Sequence, residues 1–99
     1  MINLPEQEYN KEDYQFKTTL NRIQSQNQIP NLFDNPPYSL GGTHEGHHKN
    51  KQEYFGRINK REVMIRFEQE KPCRLFTKTE PDLKNVKNVI LEKLINPSV

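Results

Sequence analysis

The clearest apolar pattern lies near the end of the 99-residue chain. Its large apolar side chains recur at helical spacing, at Leu83, Val86, Ile90 and Leu94, with Val89, Leu91 and Ile95 widening the stripe. Thr79-Glu80-Pro81-Asp82 has the form of a capping box with proline in the first turn, and Pro97 follows the stripe. The pattern predicts an amphipathic C-terminal helix over about 82–95.

A period of two replaces the helical period in the middle of the chain. Val63, Ile65 and Phe67 alternate with polar residues, and a second β-prone run, 53–58, precedes them across Asn59-Lys60. Asparagine tolerates the positive φ that a two-residue turn needs. We therefore predict a β-hairpin of 53–58 with 61–67, a helix over 59–71 being the competing interpretation. Leu75-Phe76 is the candidate for a short third strand.

The N-terminal part carries a thinner apolar stripe. Asn10 precedes acidic residues in the manner of a helix N-cap, and Phe16, Leu20 and Ile23 follow at spacings of four and three. The stripe ends in a polar run that Pro30 closes. These residues predict a helix over about 11–26, preceded by an irregular tail.

Residues 29–52 form the least regular stretch. Prolines at 30, 36 and 37 and glycines at 41 and 42 are incompatible with a continuous helix or a central strand. The same stretch contains large apolar side chains, which suit anchors in a partner's groove: Leu32, Phe33, Tyr38 and Leu40. We expect an extended segment that docks on another protein. The alternative is a loop that packs on the chain's own C-terminal half.

Together these elements predict a small irregular α+β chain. It comprises an N-terminal tail and helix (1–28), an extended Pro/Gly/His-rich segment (29–52), and a hairpin plus C-terminal helix (53–99), as one structural unit. Only 31% of the residues are hydrophobic, which is little for a private core. The low apolar content favours a protein that is ordered against a larger partner.

Charge and cysteine content narrow the functional classes. Residues 1–48 carry three basic and six acidic side chains, whereas 49–99 carry twelve basic and seven acidic ones. The basic half permits nucleic acid or an acidic protein surface as a partner. A single cysteine, Cys73, excludes a disulfide scaffold, and the sequence has neither a membrane-spanning run nor a secretory signal.

Three patterns could carry chemistry, and each has a plainer explanation. His44-Glu45-Gly46-His47-His48 matches the zinc-protease pattern H-E-x-x-H, with Glu68 further on, but the internal glycine and polar flanks do not favour the helix that it requires. Two of the three histidines His44, His47 and His48 could instead join Cys73 in a structural metal site. We expect no metal, no cofactor and no catalytic residue, with Cys73 a buried or bystander thiol.

A basic and aromatic patch on the predicted hairpin is the third pattern. Its members are Arg57, Lys60, Arg61 and Arg66, with Tyr54, Phe55 and Phe67. Such a patch can stack bases and hold phosphates. A two-faced hairpin, with aromatic residues inward and charges outward, is the interpretation we favour.

Part of the sequence resembles a known family. The residues are Pro36-Pro37, Gly42, His44 or His47, Tyr54, Arg57 and Lys60-Arg61-Glu62-Val63. They resemble the central stretch of subunit 7 of the alpha subcomplex of mitochondrial NADH:ubiquinone oxidoreductase, a small accessory subunit of respiratory complex I. The resemblance implies a non-catalytic, extended chain on the matrix side of the inner membrane, and it adds Tyr54, Arg57 and Arg61 to the expected partner-binding residues.

The expected function is therefore that of a non-catalytic structural accessory subunit of a large assembly, with mitochondrial complex I as the leading candidate. Other protein subunits would be its partners. Two alternatives remain: a small basic protein that binds nucleic acid or a ribosome-like particle, and a phage-type small inhibitor of a host enzyme. An inhibitor is expected to fold alone, whereas the subunit is expected to be poorly ordered alone.

Overall fold

The computed structural model describes residues 9–41 and 51–95, which form an antiparallel five-stranded sheet and one α-helix. The strands have the spatial order β1-β5-β4-β3-β2. The elements are β1 (Phe16–Leu20), β2 (Tyr38–Gly41), β3 (Lys51–Ile58), β4 (Arg61–Glu68), β5 (Cys73–Thr77) and α1 (Glu80–Ile95). The expectation of a small α+β fold with a C-terminal helix is confirmed.

Helix α1 covers one face of the sheet. Its Val86 and Ile90 are fully buried in the larger core, together with Ile65 and Leu75 from the central strands. The hydroxyl of Thr79 accepts a hydrogen bond from the backbone N–H of Asp82 (3.2 Å), which satisfies one donor of the first helical turn. The apolar stripe that predicted the helix is thus the stripe that packs on the sheet.

Aromatic side chains fill the opposite face. Tyr38, Phe55, Met64 and Phe76 lie side by side across β2, β3, β4 and β5, because they are partners in the strand register. Phe55, Met64 and Phe76 are buried there in a second, smaller cluster with Tyr14. The alternation of side chains along a strand therefore produces two cores, one on each face.

The strands of the predicted hairpin were too short. Strands β3 and β4 pair from Lys51↔Glu68 to Ile58↔Arg61, and both continue beyond the predicted bounds. Asn59 and Lys60 form the turn between them with positive φ angles of 54° and 69°. The pair is not an isolated hairpin but the centre of the sheet, flanked by β2 and β5. The short third strand predicted at Leu75-Phe76 is β5.

The predicted N-terminal helix is wrong. Lys11–Asp13 forms a single 3₁₀ turn, capped by the side chain of Asn10, and Phe16–Leu20 is strand β1. A spacing of four is even, so Phe16 and Leu20 share a face in a strand as well as in a helix. Two β-branched threonines lie between them, and pairing with β5 selects the strand.

Residues 29–34 pack on the chain's own sheet, which was the alternative to a partner-bound segment. Pro30–Leu32 is a 3₁₀ turn, and Ile29, Leu32 and Phe33 are buried in the larger core. The 3₁₀ turn interrupts the expected extended course, and Tyr38–Gly41 pairs with β3 as the edge strand β2. Residues 42–50 lie outside the described residues.

Asp34 connects this segment to the β3–β4 turn through hydrogen bonds. Its carboxylate accepts hydrogen bonds from the backbone N–H groups of Asn59 (2.9 Å) and Lys60 (2.8 Å). Burial alone would raise the pKa of Asp34, but these two donors lower it below the ordinary value. The carboxylate therefore stabilises a turn whose two residues both have positive φ.

We expect Asp34→Ala to lower the free energy of unfolding by about 1 kcal/mol, because two backbone donors lose a charged acceptor at a site open to water. Asp34→Asn is the matched control, since it keeps one acceptor oxygen and should lose about half as much. Urea unfolding of both variants measures the difference. Equal stability of Asp34→Ala and wild type would contradict this role.

Candidate functional site

A groove of about 640 Å³ lies on the sheet face opposite α1. Its volume falls within the range of about 300–1,000 Å³ that is typical of ligand sites. The N-terminal segment forms one wall, residues 35–38 form another, and β3 and β4 form the floor. The apolar lining consists of Tyr9, Tyr14, Pro36, Pro37, Tyr38 and Phe55.

Four aromatic rings run along this groove as a ladder, which we call the aromatic ladder: Tyr38, Tyr9, Phe55 and Tyr14. The rings of Tyr9 and Tyr38 are stacked, with centroids 5.7 Å apart and planes 13° from parallel. The ring of Tyr9 lies 4.7 Å from that of Phe55, which meets Tyr14 edge-on at 6.1 Å. These separations and tilts are those of favourable aromatic pairs.

Two different features of the chain build the ladder. Tyr38 and Phe55 are direct register partners on β2 and β3. Tyr9 and Tyr14 precede β1, and the turn between them is closed by hydrogen bonds from Asp13 N to Asn10 O and from Tyr14 N to Lys11 O. That turn lays both tyrosines over the sheet. Tyr9 and Tyr38 are only half-buried, so they offer ring surface to a ligand.

Charged side chains close one end of the groove. Lys78 Nζ lies 2.6 Å from Glu62 Oε1 and 5.2 Å from the centre of the Tyr14 ring. The hydrogen bond to Glu62 raises the pKa of Lys78, and burial raises the pKa of Tyr14. At neutral pH the groove therefore offers a fixed ammonium group and a protonated tyrosine hydroxyl.

Arg57 is the most weakly paired of the charged side chains at this end of the groove. Its guanidinium is exposed, and within the described part of the chain it pairs with Glu62 at 3.9 Å, the outer limit for such a pair. Glu62 meanwhile pairs with Lys78 at short range. Arg57 thus keeps its fork of N–H donors available for a carboxylate.

A network of paired charges lies beside the groove on the same face. Arg66 bonds the buried Glu53 at 3.0 Å and stacks on Phe76 at 4.7 Å, while Arg74 bonds Glu68 at 3.0 Å. These arginines are neutralised by glutamates of the same chain. The predicted basic and aromatic patch is also divided, because Tyr54 and Phe67 belong to the core on the helix side.

The seven predicted partner-binding residues occupy three different environments. Leu32, Phe33 and Tyr54 are buried in the core beneath α1. Tyr38 and Arg57 line the groove. The remaining two lie outside it: Leu40 is exposed on the edge strand β2, and Arg61 pairs with Asp82 at 3.4 Å.

Tyr9, Tyr14 and Lys78 all line the groove, although the sequence patterns place none of them in a site. Tyr9 was assigned to an irregular tail and Tyr14 to a helix, so neither was placed near β3. Alternation along β3 puts Phe55 and Arg57 on one face, and that signal could have located the floor of the groove. No local pattern marks the two tyrosines.

Cys73 and the histidines do not form a site in the described structure. Cys73 lies in β5 within the larger core, and burial raises the pKa of its thiol to about 12. His44, His47 and His48 lie outside the described residues. Among residues 9–41 and 51–95, no group of three or more His, Cys, Asp or Glu side chains is placed to hold a metal ion. Nor does α1 have the length and apolarity to cross a bilayer.

The chemistry that the groove offers is that of contact and hydrogen bonding. It presents aromatic faces for packing, tyrosine hydroxyls for hydrogen bonds, and one lightly paired guanidinium for an anion. Comparison with known proteins adds no relative: no protein-family model, no curated protein and no solved structure matches the chain.

Proposed function

We propose that this protein is a non-catalytic binding subunit that docks an extended, proline-containing segment of a partner protein in the groove. The observation that carries the proposal is the aromatic ladder, bordered by Pro36 and Pro37. Grooves lined by aromatic rings recognise polyproline II segments, because proline rings pack flat between them. Such segments are already extended, so they lose little entropy on docking.

The two ends of the groove suggest the order of residues in the bound segment. Proline or other apolar residues would lie on Tyr9 and Tyr38, whose hydroxyls can donate to peptide carbonyls. An acidic residue would reach Arg57 at the charged end. The ligand class is thus an extended segment with prolines and one carboxylate.

The buried side chains support a binding role in a second way. The thiol of Cys73 is buried and protonated at neutral pH, which makes it a poor nucleophile. The buried carboxylate of Glu53 is held between two cations, Lys11 and Arg66. Both groups have a structural explanation that leaves them little reactivity.

The host assembly that we propose is mitochondrial respiratory complex I, on the matrix side of the inner membrane. The support is the sequence resemblance, whose residues include Pro36, Pro37, Arg57 and Glu62, and these four line the groove. Affinity purification of the tagged chain from its native source, followed by mass spectrometry, tests this host. Recovery of complex I subunits is expected, and their absence beside another stable set of partners would refute it.

A small inhibitor of a host enzyme is the second candidate, and one observation favours it. The described residues form a core of the chain's own on each face of the sheet, which suits a protein that folds alone. Nucleic acid is less favoured, because Arg66 and Arg74 are paired with glutamates. Both remaining candidates would use the same groove.

A peptide-binding measurement tests the groove directly. The probe is a fluorescein-labelled decapeptide of prolines with one central aspartate, followed by fluorescence polarisation. We expect Tyr38→Ala to weaken binding by about tenfold or more, as loss of an aromatic contact at a binding centre does. Phe16→Ala is the matched control, because it removes an exposed aromatic ring that does not line the groove.

Arg57→Gln separates the two ends of the groove. It should weaken binding of the aspartate peptide and leave an all-proline peptide unchanged. If neither peptide binds wild type at millimolar concentration, or if Tyr38→Ala binds as well as wild type does, the proposed ligand class is wrong.

A further inference from the structure

Strand β1 is an outer strand of the sheet, and its far edge has no strand beside it in the described residues. Within residues 9–41 and 51–95, β5 is the one strand that pairs with it. Phe16–Leu20 contains no proline, glycine or bulge, and its charged residue is Lys17. Phe16 is 41% exposed there. The opposite edge differs, because β2 has four residues and follows directly on Pro36-Pro37.

The sequence of β1 is complementary to itself in an antiparallel arrangement. Pairing about Thr18 places Phe16 opposite Leu20 of the second copy, Lys17 opposite Thr19, and Thr18 opposite Thr18. This register uses all five residues and puts no two like charges opposite each other. Threonine–threonine and apolar cross-strand pairs both stabilise a sheet.

We propose that β1 is the interface through which two copies of this chain join their sheets into one of ten strands. The two-fold axis would pass midway between the two Thr18 residues, perpendicular to the sheet. Such an axis keeps each face of the sheet on its own side. Residues 16, 18 and 20 of both copies therefore lie on one face of the joined sheet, and both α1 helices cover that face. The exposed ring of Phe16 would be covered by the second copy.

This inference does not depend on the proposed peptide site. No residue of β1 lines the groove, so the proposed pairing does not use a groove residue. A dimer would present two grooves on one sheet face. A partner with two proline-containing segments would then bind with increased avidity.

Charges placed at residue 19 test both the interface and its register. Thr19 is exposed, and Thr19→Lys would set two lysines opposite each other at both ends of the interface. Thr19→Glu would set a glutamate opposite Lys17 instead. Sedimentation equilibrium of the full chain is expected to give a reversible dimer, weakened about fivefold or more by Thr19→Lys and strengthened by Thr19→Glu.

A double variant separates the interface from effects within one copy. Thr19 lies opposite Arg74 on β5, so a lysine at residue 19 also adds like charge inside the monomer. Lys17→Glu combined with Thr19→Lys keeps that internal contact but restores opposite charges across the interface. Recovery of the dimer in the double variant is the result expected if residues 17 and 19 face each other across the interface.

Three results would overturn the inference. The first is a wild-type chain that stays monomeric up to about 1 mM, where even weak associations are populated. The second is a dimer that both residue-19 variants weaken equally. The third is a double variant that remains as weak as Thr19→Lys alone. A dimer with either of the last two properties would use another surface or another register.

Discussion

Phe33→Ala is expected to lower the free energy of unfolding of the isolated chain by about 3–5 kcal/mol, the usual cost of removing a buried phenylalanine ring. Phe33 is 6% exposed and packs in the core beneath α1. Its ring lies against Gly56 of β3, where an added Cβ would come within 2.9 Å of Phe33 Cδ2. Urea unfolding of the purified chain measures the loss.

The same experiment decides between two roles for residues 29–34. If Phe33 anchored the chain to a partner, its removal would weaken an assembly and leave the isolated chain nearly unchanged. A loss of less than about 0.5 kcal/mol, as for a typical surface substitution, would therefore contradict the packing described here. Leu40→Ala is the matched control, because Leu40 comes from the same predicted set but is exposed.

Gly56→Ala tests the contact from the other side. The added methyl group meets the Phe33 ring, so it should cost about 1–3 kcal/mol in the wild-type background. In the Phe33→Ala background the space is open, and the same substitution should cost much less. A coupling of this sign is expected only if the two residues touch.

Helix α1 and the central strands could be read from the sequence because their patterns are local. Leu83 to Leu94 repeat at one helical period beside a Thr79 cap, so no other element fits them. Val63, Ile65 and Phe67 alternate beside a turn that tolerates positive φ. In each case, the residues that identify the element are close together in the chain.

Strands β1 and β2 could not be predicted in this way, since long-range pairing determines them. The even spacing of Phe16 and Leu20 fits both a helix and a strand, and contact with β5 decides between them. Tyr38–Gly41 follows two prolines, which suit an edge strand as well as a loop. The polar run ahead of Pro30 contains a third 3₁₀ turn, Gln26–Gln28, where the side chain of Gln28 accepts a hydrogen bond from the N–H of Ser25 at 3.0 Å.

Only part of the groove could be predicted, again because long-range contacts position the rest of it. The period of two in β3 places Phe55 and Arg57 on one face, beside Tyr38 only if β2 pairs in the observed register. Tyr9 and Tyr14 reach that face through the turn capped by Asn10. Their contribution to the groove depends on where the N-terminal segment packs. Neither the periodicity nor the composition of the sequence indicates that position.

The second large effect concerns Glu53, a carboxylate buried between two cations. Its side chain is 4% exposed, with Lys11 Nζ 2.9 Å from Oε1 and Arg66 Nε 3.0 Å from Oε2. We expect Glu53→Gln to lower the free energy of unfolding by about 2–4 kcal/mol at pH 7, since it leaves the partly buried Arg66 without its counter-ion. Glu68→Gln is the matched control, because the Glu68 pair with Arg74 is more exposed and should contribute about 1 kcal/mol.

The contribution of Glu53 should also depend on pH with a definite sign. Burial alone would raise the pKa of Glu53, but the hydrogen bond and charge of Lys11, together with Arg66, lower it below the ordinary 4.5. A carboxylate with a depressed folded-state pKa contributes its full stability above the unfolded-state pKa and loses it as pH falls through the folded-state pKa. The difference between wild type and Glu53→Gln should therefore be constant near neutrality, shrink below about pH 4.5, and vanish in stronger acid. Urea titrations of both proteins at a series of pH values measure it, and a difference that grows on acidification would show that Glu53 is not held as an ion.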